Sequence, residues 1–239
     1  MLYWERSIIG ICRVTWQNLS LVNTLLKGKL SSLVPLQTSI PVLECSNLSY
    51  SIGRKSVLKN VSFSVFPNEV LFVRGMNGSG KTTLLKSILQ HDKFKDQIKF
   101  HSSKSIKLSY LGHDLGLYTT LSLEENLEYF RGIAGDCRPE DQIISWLKDF
   151  RLWQRRKDPV SSFSRGMKQK AALVRALLPN VDLYLLDEPL TALDSEGESK
   201  ARSVLENVLD SSSIIMVTHD PNFSLNAKSR LLELGENPK

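Results

Sequence analysis

The stretch Gly75-Met76-Asn77-Gly78-Ser79-Gly80-Lys81-Thr82 constrains this chain more than any other. It fits G-x-x-x-x-G-K-[ST]. An unbroken apolar run, Val70-Leu71-Phe72-Val73, precedes it, as expected of a buried parallel strand. A helical stretch follows from Gly80, with Leu84, Leu85, Ile88 and Leu89 on one side. Each residue type has a physical reason. Glycines let the backbone at Gly75, Asn77, Gly78, Ser79 and Gly80 curl with its amides pointing inward, which makes a concave anion site. The helix N-terminus beyond adds partial positive charge. Lys81 reaches the β- and γ-phosphates of a nucleotide, Thr82 offers its hydroxyl to Mg²⁺, and Thr83 donates toward the α-phosphate. By itself such a loop is common to ATPases, GTPases, kinases and motors.

A second acidic element narrows the chemistry. Leu183-Tyr184-Leu185-Leu186-Asp187-Glu188 reads as an apolar strand ending in two carboxylates. Asp187 is placed to hold Mg²⁺ through water, and Glu188 to orient and deprotonate an attacking water. A third buried strand, Ile214–Val217, precedes Thr218-His219-Asp220. Strands alternating with helices imply a parallel sheet with right-handed crossovers.

Between these strands the pattern is helical. Ser122-Leu123-Glu124-Glu125 is a capping box, and Leu123, Leu127 and Phe130 recur at helical spacing. A second helix is expected from Pro139, with Ile143, Trp146, Leu147 and Phe150 inward. Val61–Val65 alternates like a half-exposed strand. No run of about 18 apolar residues occurs, so nothing in the sequence reads as a bilayer span.

Residues 1–40 differ from the rest. Trp4, Trp16 and scattered Leu stand among Arg6, Arg13, Lys27 and Lys29 against the single acid Glu5, and the Ser/Pro-rich stretch Ser31–Pro41 reads as a linker. Three readings of this extension stay open: a dispensable tail, an amphipathic helix touching membrane or partner, and a targeting peptide. The net charge of +6 is spread along 239 residues. It reads as a solvated basic surface rather than a nucleic-acid footprint. Cys12, Cys45 and Cys137 form no CxxC pair, so neither zinc nor a disulfide framework is suggested.

Phe163-Ser164-Arg165-Gly166-Met167-Lys168-Gln169 resembles the signature of the ABC transporter ATPases, usually Leu-Ser-Gly-Gly-Gln; Ser164 and Gly166 match. Leu190-Thr191-Ala192-Leu193-Asp194 resembles that family's D-loop, and His219 its switch histidine, which contacts the γ-phosphate. The resemblance covers roughly residues 42–235. It implies an α/β fold: a P-loop core with a parallel sheet, a small antiparallel β region near 42–66 and an inserted helical subdomain near 116–161. The domain would run 41–239. It also implies a homodimer that sandwiches two ATP molecules, each between the phosphate loop of one subunit and Ser164 and Gly166 of the other. Catalysis would fall to Glu188, His219 and Lys81, and the cofactors would be ATP and Mg²⁺. Arg165 would either aid the anion or face solvent.

Two positions depart from the family pattern. Ile52 stands where an aromatic usually stacks on adenine; either the stacking is lost or Tyr50 supplies it. His113 stands where a glutamine usually couples the γ-phosphate to the membrane subunit. It would be a further Mg²⁺-linked ligand beside Thr82 and Asp187, or else an exposed loop residue.

The run Gly112-His113 with Leu115-Gly116-Leu117-Tyr118 and Glu125-Asn126-Leu127 is similar to the ATP-binding subunits of the haem exporter of cytochrome c maturation. That resemblance implies transmembrane permease partners, no nucleic acid, and peripheral attachment at the cytoplasmic face of the inner membrane. The competing readings are an exporter subunit with another cargo and a soluble ABC ATPase outside transport.

Overall fold

A computed structural model describes residues 40–101 and 105–235. The choice among the three readings of the N-terminal extension falls on residues outside that range.

Five strands form the central parallel sheet, in the order β5-β6-β7-β3-β8. They are β3 (Glu69–Gly75), β5 (Leu108–Leu111), β6 (Leu183–Asp187), β7 (Ser213–Val217) and β8 (Lys228–Leu234). The three strands read from the sequence as continuous apolar runs lie side by side in its middle. Every residue of β6 and β7 is buried. Side chains alternate across the sheet, so its two faces carry different residues. Val70, Phe72, Tyr184, Leu186, Ile214 and Met216 enter one core. Leu71, Val73, Leu183, Leu185, Ile215 and Val217 enter the other.

The second core is closed by α1 (Lys81–Leu89) and by an antiparallel sheet, order β2-β1-β4. Its strands are β1 (Leu43–Ile52), β2 (Lys55–Val65) and β4 (Ile98–Phe100). Leu84, Leu85 and Ile88 of α1 are fully buried there. Removing side chains of this size from water stabilises by about 1.5–3 kcal/mol each. The β1–β2 ladder slips three times, and the first two slips fall at Asn47 and at Asn60, both in the left-handed backbone region that asparagine tolerates. β4, β5 and β8 were not foreseen from the sequence. β4 is only a three-residue strand, β5 carries Ser109 and Tyr110, and β8 is a largely exposed edge, so none shows a clean apolar run.

The first core is closed by α2 (Leu123–Ala134), α3 (Glu140–Asp149), α4 (Arg165–Leu177) and α5 (Ser195–Leu209). Both halves of the capping box form: Ser122 Oγ accepts from Glu125 N, and the Glu125 carboxylate accepts from Ser122 N. Pro139 is the N-cap of α3 rather than its first helical residue. Ile143, Trp146, Leu147 and Phe150 are buried, as their spacing implied.

Asn126 ties the chain ahead of α2 to that helix. It is fully buried; its Oδ1 accepts from Tyr118 N at 2.8 Å, and its Nδ2 donates to Tyr118 O at 2.9 Å and Ser122 O at 2.8 Å. Asn126→Ala leaves Tyr118 N without a partner, while Tyr118 O and Ser122 O keep only their main-chain donors, Leu121 N and Asn126 N. The substitution should cost about 1–3 kcal/mol. A denaturant titration reads this directly, and an unchanged midpoint would show the contact to be incidental.

Candidate functional site

The phosphate loop connects β3 to α1, and its backbone permits little but glycine at two points. Gly75 has φ +152°, and a Cβ there would lie 2.6 Å from both Leu234 O and Ser79 Oγ. Gly80 has φ +98°, and its Cβ would lie 2.8 Å from Leu58 Cδ2. Lys81, largely buried, donates to Gly75 O at 2.8 Å and Met76 O at 3.0 Å, so its ammonium lies across the mouth of the loop. Ser79 Oγ is buried without a protein partner. A buried hydroxyl normally finds a partner, so this one fits a loop that receives a ligand. Asn77 and Gly78 are exposed at the loop tip, and Thr83 lies on the first turn of α1.

β6 delivers the two acids beside this loop. Asp187 is 1% exposed, and its Oδ2 accepts the Thr82 hydroxyl at 2.7 Å. Its Oδ1 is buried and accepts no hydrogen bond. His113, on the loop after β5, brings Nε2 to 3.7 Å from Asp187 Oδ2. A hydroxyl, a buried carboxylate with a spare oxygen and an imidazole together form a donor set that fits a divalent cation. Tyr110 stands close by as a neutral phenol; burial, and then the negative charge of Asp187, raise its pKa to about 12.

Glu188 turns out of β6 with φ +54°, a left-handed conformation that costs a non-glycine residue about 1–2 kcal/mol. Several bonds hold it there. Its amide donates to Val217 O at 3.1 Å, and its carbonyl accepts from Thr191 N at 3.2 Å. On the side chain, Oε1 meets His219 Nε2 at 2.7 Å and Oε2 accepts from Thr191 Oγ1 at 3.3 Å. Strain of this kind persists only where the surroundings over-determine it, and such places cluster at functional sites.

One helix organises the loops around these groups. Ser164 caps α4, its Oγ accepting from Met167 N at 3.2 Å. Two residues on, Gly166 passes under the 190–194 loop, where a Cβ would lie 2.8 Å from Ala192 O. Gln169, 8% exposed, donates to Pro189 O at 2.9 Å and more weakly to Glu188 O at 3.4 Å. Lys170 meets Asp194 at 3.2 Å. Farther along, Arg175 donates to Tyr110 O at 3.1 Å and Leu115 O at 2.8 Å, clamping both ends of the His113 loop, and lies over the Phe130 ring.

Neither Gln169 nor Arg175 was given a role from the sequence, because both act on backbone carbonyls far away in the chain. Gln169→Met keeps the length but removes the donor. Turnover should fall roughly ten- to a hundredfold, since misplacing a catalytic group by about 1 Å has effects of that size. Nucleotide affinity should stay within about twofold, a split that steady-state hydrolysis and an equilibrium titration read together.

The structure therefore brings Lys81, Thr82, Asp187, Glu188, His113 and His219 around the phosphate loop. Tyr50 and Ile52 are exposed on β1, the Tyr50 ring edge-on to Phe94 at 5.9 Å. Ser164 and Gly166 make no hydrogen bond to the phosphate loop; Ser164 is exposed at the start of α4, and Gly166 is half-buried beneath the 190–194 loop. Among the described α-helices, α1 and α4 are the two with no acid in the first turn, whereas α2, α3 and α5 each carry two. Acids at a helix start compete with an anion for the terminal amides.

Residues 58–191 match the ABC transporter family. The chain belongs to the ABC transporter family. As an ABC ATP-binding subunit it binds and hydrolyses ATP and works with membrane partner subunits. It is 32% identical over 205 residues to the cytochrome c biogenesis ATP-binding export protein CcmA of Vibrio parahaemolyticus, covering 82% of this chain and all of that one. It is 35% identical over 190 residues to the CcmA protein of Nitrosomonas europaea, covering 75% of this chain and 89% of the other. A solved structure of an ATP-binding subunit of an ABC transporter superposes with a TM-score of 0.64 at 27% identity, covering 74% of this chain and 79% of that one. Among the described residues, no helix of this ABC subunit is long and apolar enough to cross a membrane.

Proposed function

We propose that this ABC subunit powers export for cytochrome c biogenesis, with haem as the cargo, through separate membrane-spanning subunits at the cytoplasmic face of the membrane. The kinship with proteins named for cytochrome c biogenesis export supports the cargo class. The same reading assigns residues 41–239 to the ATPase domain and about 116–161 to its helical subdomain.

Two copies form the working unit. The observation that carries this is the division of the site. The phosphate loop, Asp187, Glu188 and His219 converge, while Ser164, exposed at the acid-free start of α4, hydrogen-bonds only within its own helix. A helix start with free amides and the basic Arg165 and Lys168 suits a phosphate. In a head-to-tail pair, Ser164 and Gly166 of one copy close over the nucleotide of the other.

Within each site the geometry supports the following roles. Lys81 and the loop amides, from Gly75 to Gly80, bind the phosphates, and Thr83 adds a donor. Mg²⁺, when bound, would offset phosphate charge, and Thr82 and Asp187 would hold it with His113 alongside. Glu188 accepts the proton of the attacking water. His219, hydrogen-bonded to that carboxylate, orients it and contacts the γ-phosphate. Tyr50 supplies the aromatic surface for adenine. ATP closes the pair and hydrolysis opens it, and the His113 loop and helical subdomain pass the motion to the membrane partners.

The test is isolation of the protein from native membranes with its partners, identified by mass spectrometry. Co-purification with multi-span cytochrome c maturation subunits is the expected result. A different permease would overturn the cargo while leaving the ATPase intact, and recovery without any membrane protein would overturn the transport role.

A further inference from the structure

We propose that the cation site of this subunit carries an imidazole ligand, His113, and selects first-row transition cations such as Mn²⁺ over Mg²⁺. The proposal rests on the reading of Thr82 and Asp187 as cation ligands given above.

The donor atoms argue for it. A ring nitrogen of His113, a carboxylate oxygen of Asp187 and one of Glu188 all lie within 4.8 Å of one another. Glu188 is already engaged on both oxygens, by His219 at 2.7 Å and by Thr191 at 3.3 Å. That leaves Asp187, Thr82 and His113 to share a cation. Asp187 has the capacity, because its buried Oδ1 accepts no hydrogen bond.

His113 is held near the acid by its surroundings. Arg175 fixes the loop through the carbonyls on either side, Tyr110 and Leu115, and Asp114 Oδ1 accepts from Gly116 N at 3.1 Å. Gly112 permits the approach, since a Cβ there would collide with the Tyr110 ring folded over it. The imidazole itself stays 62% exposed, and among the described residues Asp187 is its one ion-pair neighbour.

Chemistry then sets the preference. Mg²⁺ is hard and small, prefers oxygen, and dehydrates reluctantly. Imidazole nitrogen is a softer donor, and it takes first-row divalent ions, Mn²⁺ the weakest of them, more readily than hard Mg²⁺. A site that presents one nitrogen between two oxygen donors therefore shifts toward Mn²⁺ relative to an all-oxygen site.

The test uses the full chain labelled with ¹⁵N-histidine, with Mn²⁺ and a non-hydrolysable ATP analogue, followed by pulsed electron paramagnetic resonance. Labelled histidine separates a protein nitrogen from the adenine ring. The expected result is a ¹⁵N coupling on the bound Mn²⁺ that disappears in His113→Gln. That variant should also lower the Mn²⁺-over-Mg²⁺ preference in nucleotide affinity about tenfold, equivalent to about 1.4 kcal/mol. Because His113 is an exposed loop residue, the glutamine variant should fold normally, and a thermal melt checks this. If Mn²⁺ binds with nucleotide and depends on Thr82 and Asp187, yet shows no histidine coupling, the proposal is overturned and the cation site stands. If Thr82→Ala and Asp187→Asn leave metal-dependent nucleotide binding unchanged, the cation site itself is wrong and the proposal falls with it.

Discussion

Glu188→Gln should bind ATP about as well as the parent chain and hydrolyse it some 10²–10⁴ times more slowly, the range a positioned general base contributes. The substitution changes one oxygen to an amide and keeps the shape. The bonds holding the backbone are untouched, since Val217, Thr191 and Gln169 contact main-chain atoms. The side-chain bond to His219 can survive with one of the amide's atoms. What is lost is the negative charge that accepts a proton from water. If the protein pairs head to tail around ATP, this variant should also accumulate as an ATP-bound dimer, because opening follows hydrolysis. Phosphate release and size-exclusion chromatography with and without ATP measure both effects. Near-parental turnover would remove Glu188 as the base.

Lys81→Ala should weaken nucleotide binding roughly ten- to a hundredfold. The lysine supplies a charge-assisted bond to phosphate in a largely buried place, and such bonds contribute about 1.5–3 kcal/mol. At about 1.4 kcal/mol per tenfold, that range gives the expected loss. The Gly75 and Met76 carbonyls would also lose their donor, so the loop itself should loosen. An equilibrium titration with a fluorescent ATP analogue checks the affinity, and an unchanged constant would contradict the phosphate-loop assignment. Gln169→Met is the useful contrast, with the expected loss in turnover and not in binding. If all three variants lost binding and turnover alike, a general disturbance of the fold would explain them better than separate roles.

Local chemistry was legible without coordinates. The phosphate loop could be read because its glycines, lysine and threonine are adjacent in the chain, and each has one strong reason to be there. The capping box at Ser122 and the N-cap at Ser164 are equally local: a side chain and an amide three residues apart. The middle strands could be read because burial on both faces leaves an unbroken apolar run at the centre of each, with polar residues only at the ends.

The tertiary structure decided what distance in sequence conceals. Asp187 meets Thr82 across more than a hundred residues, and only the parallel pairing of β3, β7 and β6 sets them side by side. The left-handed backbone at Glu188 has no sequence signal, since it is imposed by partners from β7 and α4. The work of Gln169 and Arg175 was hidden for the same reason: each recognises backbone carbonyls, which every residue possesses. Edge strands such as β8 were missed because exposure on both faces over most of their length dilutes their apolar pattern. The sequence by itself determined the loop that holds phosphate, the acids beside it and the family they belong to. Packing alone decided how close those groups stand and which helix holds them there, because hydrogen bonds and sterics act through space and take no account of position along the chain.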